Sequence, residues 1–273
     1  MIASIANIHT AKQILKSENI IRFEASQTLS QALPALSSSH DAIFVFDKDH
    51  FLGVASPYYL FSNRSVNTNS KLKSVAKMPP KLTLETGLSK IAQAMIQSKI
   101  HYLPVINPDT NEFLGIVTIN RLLDYVVANK LLNHHGTIIF SKDTLATISD
   151  EATIAQVLAQ MKKEKITKLP VVNSQNKLVG IISEYDLRPY LEKEQSAGKR
   201  DRSGEKKGIR DNKVKDYMKK MVVSISRLPT FSQAVALMNE HNIGSLIVVD
   251  KKQTPMTIIT KRDLLATIAA ASI

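Results

Sequence analysis

The chain has 273 residues, of which 44% are apolar, 5% are aromatic and none is tryptophan, so it can build aliphatic cores and is not a disordered polymer. It has no cysteine, which excludes disulfides, thiolate metal sites and cysteine nucleophiles and fits a reducing, cytoplasmic interior. The net charge of +12 suits an anionic partner, but lysine and arginine are spread along most of the sequence, as on a solvated surface.

In chain order, the N-terminal stretch MIASIANIHTAKQIL lacks a basic segment followed by a solid apolar core, so no secretory signal is expected. No apolar run approaches the roughly 18 residues of a membrane span. LSQALPALSSSHD (29–41) predicts a weak helix, because Pro34 cannot donate inside it. SHDAIFVFDKDHFLGVASPYYLF (39–61) follows as two apolar strands about a polar turn. LSKIAQAMIQSKI (88–100) is an amphipathic helix, and KIHYLPVINPDTNEFLGIVTINRLLDYV (99–126) repeats the strand–turn–strand pattern and adds a helix. His134 and His135 lack other ligands at metal spacing and read as loop.

TIAQVLAQMKKEKI (153–166) places Ile154, Val157, Leu158, Met161 and Ile166 on one helical face. KITKLPVVNSQNKLVGIISEYDLRPYL (165–191) is the next hairpin and helix. The run AGKRDRSGEKKGIRDNKVK (197–215) has three glycines and no apolar period, and reads as a flexible basic linker. The strand VVSI (222–225), the helix FSQAVALMNEHNI (231–243) and the segment NIGSLIVVDKKQTPMTIITKRDLLATI (242–268) close the chain. Met95, Met161 and Met238 hold equivalent inward positions on three helices and read as core filling rather than as a thioether site.

These segments are copies of one unit. Its marker is Gly53, Gly115, Gly180 and then Thr257 in place of glycine, at spacings of 62, 65 and 77 residues, the longest interval containing the basic run. The unit is β-α-β-β-α and too small to cover both faces of its sheet, so units are expected to pack in pairs. The boundaries read as 1–66 (degenerate), 67–132, 133–193, a basic Gly-rich insertion at 194–213, and 214–273.

The LPV(V/I) strand and the G-(I/V)-(I/V)-(S/T)-x-x-(D/R)-L junction, four times in register, resemble CBS domains, the family named after cystathionine β-synthase. Four repeats in one chain resemble the gamma subunit of AMP-activated protein kinase. The resemblance implies an α+β fold of four CBS repeats, paired into two Bateman modules that form a pseudo-symmetric disk. It further implies adenosine-containing ligands (AMP, ADP or ATP, with S-adenosylmethionine as another candidate) in clefts between paired repeats. In this family the junction Asp holds the ribose hydroxyls and the Ser or Thr three residues earlier lies at the same site. A carboxylate can accept from both hydroxyls of a diol with charge-assisted strength, and the first turn of a helix favours its ionised form.

Asp186 and Asp263 carry that carboxylate, with Ser183 and Thr260 as the hydroxyls, so the C-terminal half is expected to hold the working sites. Repeat two has Thr118 and Arg121, and arginine has no acceptor for a diol. Repeat one has Ser56, Pro57 and Tyr59. The resemblance assigns Thr167, Lys168, Ser141 and Ala146 to the site of Asp263, together with the adjacent Arg262, and it makes this the better site for phosphate. It assigns Gly244, Ser245 and Met221 to the site of Asp186, with Lys219 and Lys220 upstream. His101 matches a phosphate-contacting histidine of the kinase subunit and reads equally well as a core-edge histidine. Ser183 and Thr260 also fit plain N-caps, a role compatible with ligand contact.

No phosphate-binding glycine loop and no catalytic carboxylate pair is evident, so the expectation is a non-enzymatic, energy-sensing regulator that binds adenine nucleotide between repeats three and four. It would signal to a protein partner, as one chain or as a homodimer. Two alternatives stand beside it: a nucleic-acid-binding protein using the basic run, and a scaffold with vestigial sites. Against nucleic acid, the run lacks aromatic stacking residues.

Overall fold

The structure is a computed structural model that describes residues 9–35, 42–56, 69–132, 138–140, 145–187, 209–271 and 273. Ser141, Pro57, Tyr59, His134, His135 and most of the 194–213 insertion lie outside the described residues.

Each repeat starts from a short strand, continues through a helix and returns as an antiparallel hairpin whose first strand lies parallel to the opening one. Repeat one is β1 (Arg22–Glu24), α2 (Leu29–Ala32), β2 (Ile43–Asp47) and β3 (His50–Ala55), preceded in the chain by α1 (Ala11–Ile14). Repeat two begins with α3 (Leu72–Val75) and a parallel bridge from Leu82 to Val105. It continues through α4 (Leu88–Ser98), β4 (Tyr102–Ile106), β5 (Phe113–Thr118) and α5 (Ile119–Ala128). Repeat three is β6 (Ile148–Ser149), α6 (Ile154–Glu164), β7 (Lys168–Val172) and β8 (Leu178–Ser183), and a helix starts at Glu184. Repeat four is β9 (Ser224–Ile225), α7 (Phe231–Glu240), β10 (Ser245–Val249), β11 (Pro255–Thr260) and α8 (Lys261–Ala270). The degenerate first repeat thus has the same strand pairing as the third and fourth.

Local sequence explains where the helices start. Thr10, Thr28, Thr153 and Thr230 each stand three residues before a glutamine whose side-chain oxygen accepts from the threonine backbone N–H at 2.8, 2.8, 2.8 and 3.0 Å. This is the reciprocal box that satisfies N–H groups left open at a helix start. Pro34 ends the weak helix as expected: α2 stops at Ala32 and the chain continues as a 3-10 turn over Leu33–Ala35. On α6, Ile154, Val157 and Met161 are buried while Leu158 and Ile166 pack partly buried against the same core. Met95, Met161 and Met238 are all core residues.

The chain divides into two compact units. One comprises 1–141, 230–235 and 262–273, and the other 142–229 and 236–261. In the first, Leu29, Ala32, Ile43, Val45, Ala55 and Leu72 form one core cluster. In the second, α6, β7 and β8 pack around Leu169, Val171 and Ile182, joined by Ile209 and Val214. The end of the basic run is therefore built into a core from Ile209 onward.

Three seven-residue segments clasp these repeats: TAKQILK (10–16), KLKSVAK (71–77) and KVKDYMK (213–219). The first residue of each bridges the residue that caps a helix, Thr10 to Gly87, Lys71 to Thr28 and Lys213 to Thr153. The last residue bridges the outer hairpin strand, Lys16 to Ile116, Lys77 to Val54 and Lys219 to Ile181. Segment 10–16 thus closes repeat two and segment 71–77 closes repeat one. The marker glycine follows from this. A Cβ on Gly53 would lie 2.7 Å from the Lys77 carbonyl oxygen, and one on Gly115 would lie 2.4 Å from that of Lys16. On Gly180 it would lie 3.0 Å from the Lys219 carbonyl oxygen and 2.5 Å from the Met218 sulfur. At Gly53 and Gly115 the obstructing atom is backbone, and no side chain fits beneath it.

Candidate functional site

In the second unit the junction of repeat three gathers most of the chemistry. Lys168 opens β7 directly opposite Ser183, which closes β8. Glu184 then turns the chain into a helix by donating its N–H to the Thr167 carbonyl at 2.9 Å. Ser183 accepts from the Asp186 N–H at 3.2 Å, so it is an N-cap, and its hydroxyl also donates to Asp186 Oδ2. The cap is compatible with a ligand role, because the hydroxyl that accepts from the Asp186 N–H also donates to its carboxylate.

Asp186 Oδ1 lies 2.8 Å from the Lys219 ammonium, with the Asp side chain 15% exposed and the Lys side chain 66% exposed. The Lys219 backbone is held in place: it donates to and accepts from Ile181 at 2.9 Å in each direction. A second ammonium, that of Lys168, lies 3.3 Å from where a Cβ on Gly244 would stand. Burial pushes the Lys168 amine below its ordinary value of 10.5; Asp186 opposes that shift, and the charges of Lys261 and Lys219 add to it. Lys261 is tied to the same place through its N–H, which donates to the Gly244 carbonyl at 3.2 Å. Lys168 therefore lies in the space left by the missing side chain of Gly244 and within the electrostatic reach of Asp186, Lys219 and Lys261.

The other expected residues are placed as follows. Ser245 opens β10 and pairs with Thr260 at the end of β11. Thr167 is exposed and Met221 is 96% exposed. Ala146 packs against the repeat-three core. The division between units falls between Lys261 and Arg262, so Thr260 is described in the second unit, and the exposed Arg262 and the buried Asp263 in the first. The sequence expectation pairs Lys168 with Asp263; within the second unit Lys168 lies in the electrostatic reach of Asp186.

In repeat two Arg121 occupies the position of Asp186. Its Nε donates to the Ile14 carbonyl and a terminal nitrogen to the Leu15 carbonyl, both at 2.9 Å. It ties down the end of α1. The seven-residue segments and the role of their lysines escape sequence reading, although Lys at the third and seventh places of TAKQILK, KLKSVAK and KVKDYMK is a visible signal. Among the described residues, no cluster of three or more His, Asp or Glu could hold a metal ion, and no helix is long and apolar enough to cross a membrane.

The family model of the CBS domain matches residues 72–128, 139–193 and 214–270. A protein of Methanocaldococcus jannaschii is 26% identical over 190 residues, 67% of this chain, and the chain spans 40% of that relative's length. A CBS domain-containing protein of Dictyostelium discoideum is 33% identical over 127 residues, which is 45% of this chain and 83% of the relative. Among solved structures, a Methanocaldococcus jannaschii protein proposed as an archaeal homologue of g-AMPK has a TM-score of 0.70 at 17% identity, covering 94% of this chain and 99% of its own. At that identity the likeness concerns the fold alone.

Proposed function

The chain belongs to the CBS domain family, and from that premise we propose that it is a regulatory protein that binds adenine nucleotide (AMP, ADP or ATP) through Asp186 and signals its occupancy to a protein partner. One observation carries this reading. An oriented carboxylate, capped by Ser183, shares its surroundings with Lys168, Lys219 and Lys261. Such a group can accept a ribose diol on the carboxylate and meet phosphate with the ammonium groups. Gly244 opens the backbone beside Lys168, and Ser245 adds a hydroxyl at the start of the neighbouring strand. Asp263 is a second candidate carboxylate by its equivalence with Asp186 in the repeat, with Thr260 as its hydroxyl.

The role is regulatory rather than catalytic in this reading, and a cytoplasmic setting goes with it because adenine nucleotides are its ligands. Binding signals only if the two conformations of a partner surface differ in nucleotide affinity.

Calorimetry with ADP and with pyrophosphate tests the site, on wild type, Asp186→Ala and Asp263→Ala. The wild type is expected to prefer ADP over pyrophosphate. Asp186→Ala should lose most of that preference, because the anion-binding lysines remain while the diol acceptor is gone. An unchanged preference in Asp186→Ala removes Asp186 from the site. Failure of the wild type to bind ADP removes the function.

A further inference from the structure

The ion pair between Asp186 and Lys219 has a consequence for which ligands the site admits. Asp186 Oδ2 carries the bond from the Ser183 hydroxyl and Oδ1 faces the Lys219 ammonium, so a diol that donates to both oxygens meets Lys219 at Oδ1. A ribose diol reaching that oxygen displaces the Lys219 ammonium. The lysine can yield without unfolding anything: its side chain is largely exposed on a flexible stem, while its backbone stays locked to Ile181. The displaced charge then stands with Lys168 and Lys261. Lys168 already feels both other lysines as unfavourable neighbours, and Asp186 is the counter-charge that offsets them.

We propose that Lys219 is the specificity-determining residue of this site: it competes with the ribose for Asp186, so the site admits adenosine ligands that carry phosphate and rejects neutral or cationic ones. This rests on the nucleotide reading above. Adenosine exchanges an ion pair for neutral hydroxyl donors and takes the counter-charge of Asp186 away from Lys219. A sulfonium ligand such as S-adenosylmethionine adds further positive charge beside the lysines. A nucleoside di- or triphosphate brings its own counter-charge, and the lysine it displaces becomes one of its phosphate ligands. Lys219 therefore opposes the nucleoside and favours the nucleotide. Arg121 shows that the contact between this junction and the clasping segment is not by itself a ligand feature. In repeat two the same position binds carbonyls of segment 10–16, and no carboxylate stands there for a lysine to block.

The test is calorimetry with adenosine, ADP and S-adenosylmethionine on wild type, Lys219→Met and Asp186→Ala, with thermal unfolding as a check that each variant is folded. Methionine keeps the stem and the backbone bridge and removes the charge. Lys219→Met is expected to bind adenosine roughly fivefold more tightly, the scale of a largely exposed ion pair. It should bind ADP about tenfold more weakly, the scale of one charge-assisted hydrogen bond. S-adenosylmethionine should gain at least as much as adenosine. Affinities for adenosine and ADP that move together, or that both stay at the wild-type values while the wild type binds ADP through Asp186, overturn the role of Lys219 and leave the nucleotide reading standing. A wild type that binds none of the three ligands overturns both.

Discussion

Asp186 and Arg121 hold one place in two repeats and make different contacts there. The arginine is spent on the carbonyls of Ile14 and Leu15, while the aspartate is oriented by Ser183 and countered by lysines. That contrast is legible in the sequence, because the two residues align and only one of them can accept a diol. The lysines around Asp186 are not legible in the same way. Lys168, Lys219 and Lys261 lie on three separate elements, and only the packing of β7, β8 and the turn before β10 brings their charges together. Lys168 also gives the site a pH signature. Its amine is depressed below 10.5 by burial, so between the lowered value and 10.5 the unfolded chain binds a proton that the folded chain does not, and stability rises with pH across that window. A bound phosphate draws the proton back onto Lys168. ADP affinity is therefore expected to fall as pH rises through the lowered value, and Lys168→Met should bind ADP weakly and without that alkaline dependence. A wild-type affinity that is flat up to 10.5 contradicts this assignment.

At the scale of elements, the hairpins and most of their helices can be read from the sequence, since apolar periodicity and polar turns agree. The clasping segments are harder, because each is short, carries no turn signature and closes a repeat other than the one it precedes. Their presence nevertheless leaves a mark in the glycines they press upon. Gly115 combines φ +151 with a Cβ position 2.4 Å from the Lys16 carbonyl oxygen, so alanine there is both conformationally strained and sterically blocked by backbone. Gly115→Ala is expected to destabilise the protein by about 2–4 kcal/mol, measured by urea unfolding. Thr257 holds the equivalent place in repeat four, which makes Thr257→Gly the control: it relieves no such contact and should not stabilise by a comparable amount. A Gly115→Ala variant as stable as wild type contradicts the close approach of segment 10–16.

At the scale of the whole molecule, the repeats and the α+β fold follow from the sequence, because the strand–turn–strand pattern recurs in register along the chain. Six of the lysines behind the net charge of +12 stand in the clasping segments, at residues 12, 16, 73, 77, 215 and 219. The most direct test of the proposed site is a crystal structure with ADP bound. The account predicts both ribose hydroxyls within hydrogen-bond distance of the Asp186 carboxylate, the Lys219 ammonium moved from that carboxylate onto phosphate, and Lys168 against the same phosphate. ADP bound away from Asp186, or bound with the Asp186–Lys219 pair intact, would contradict it.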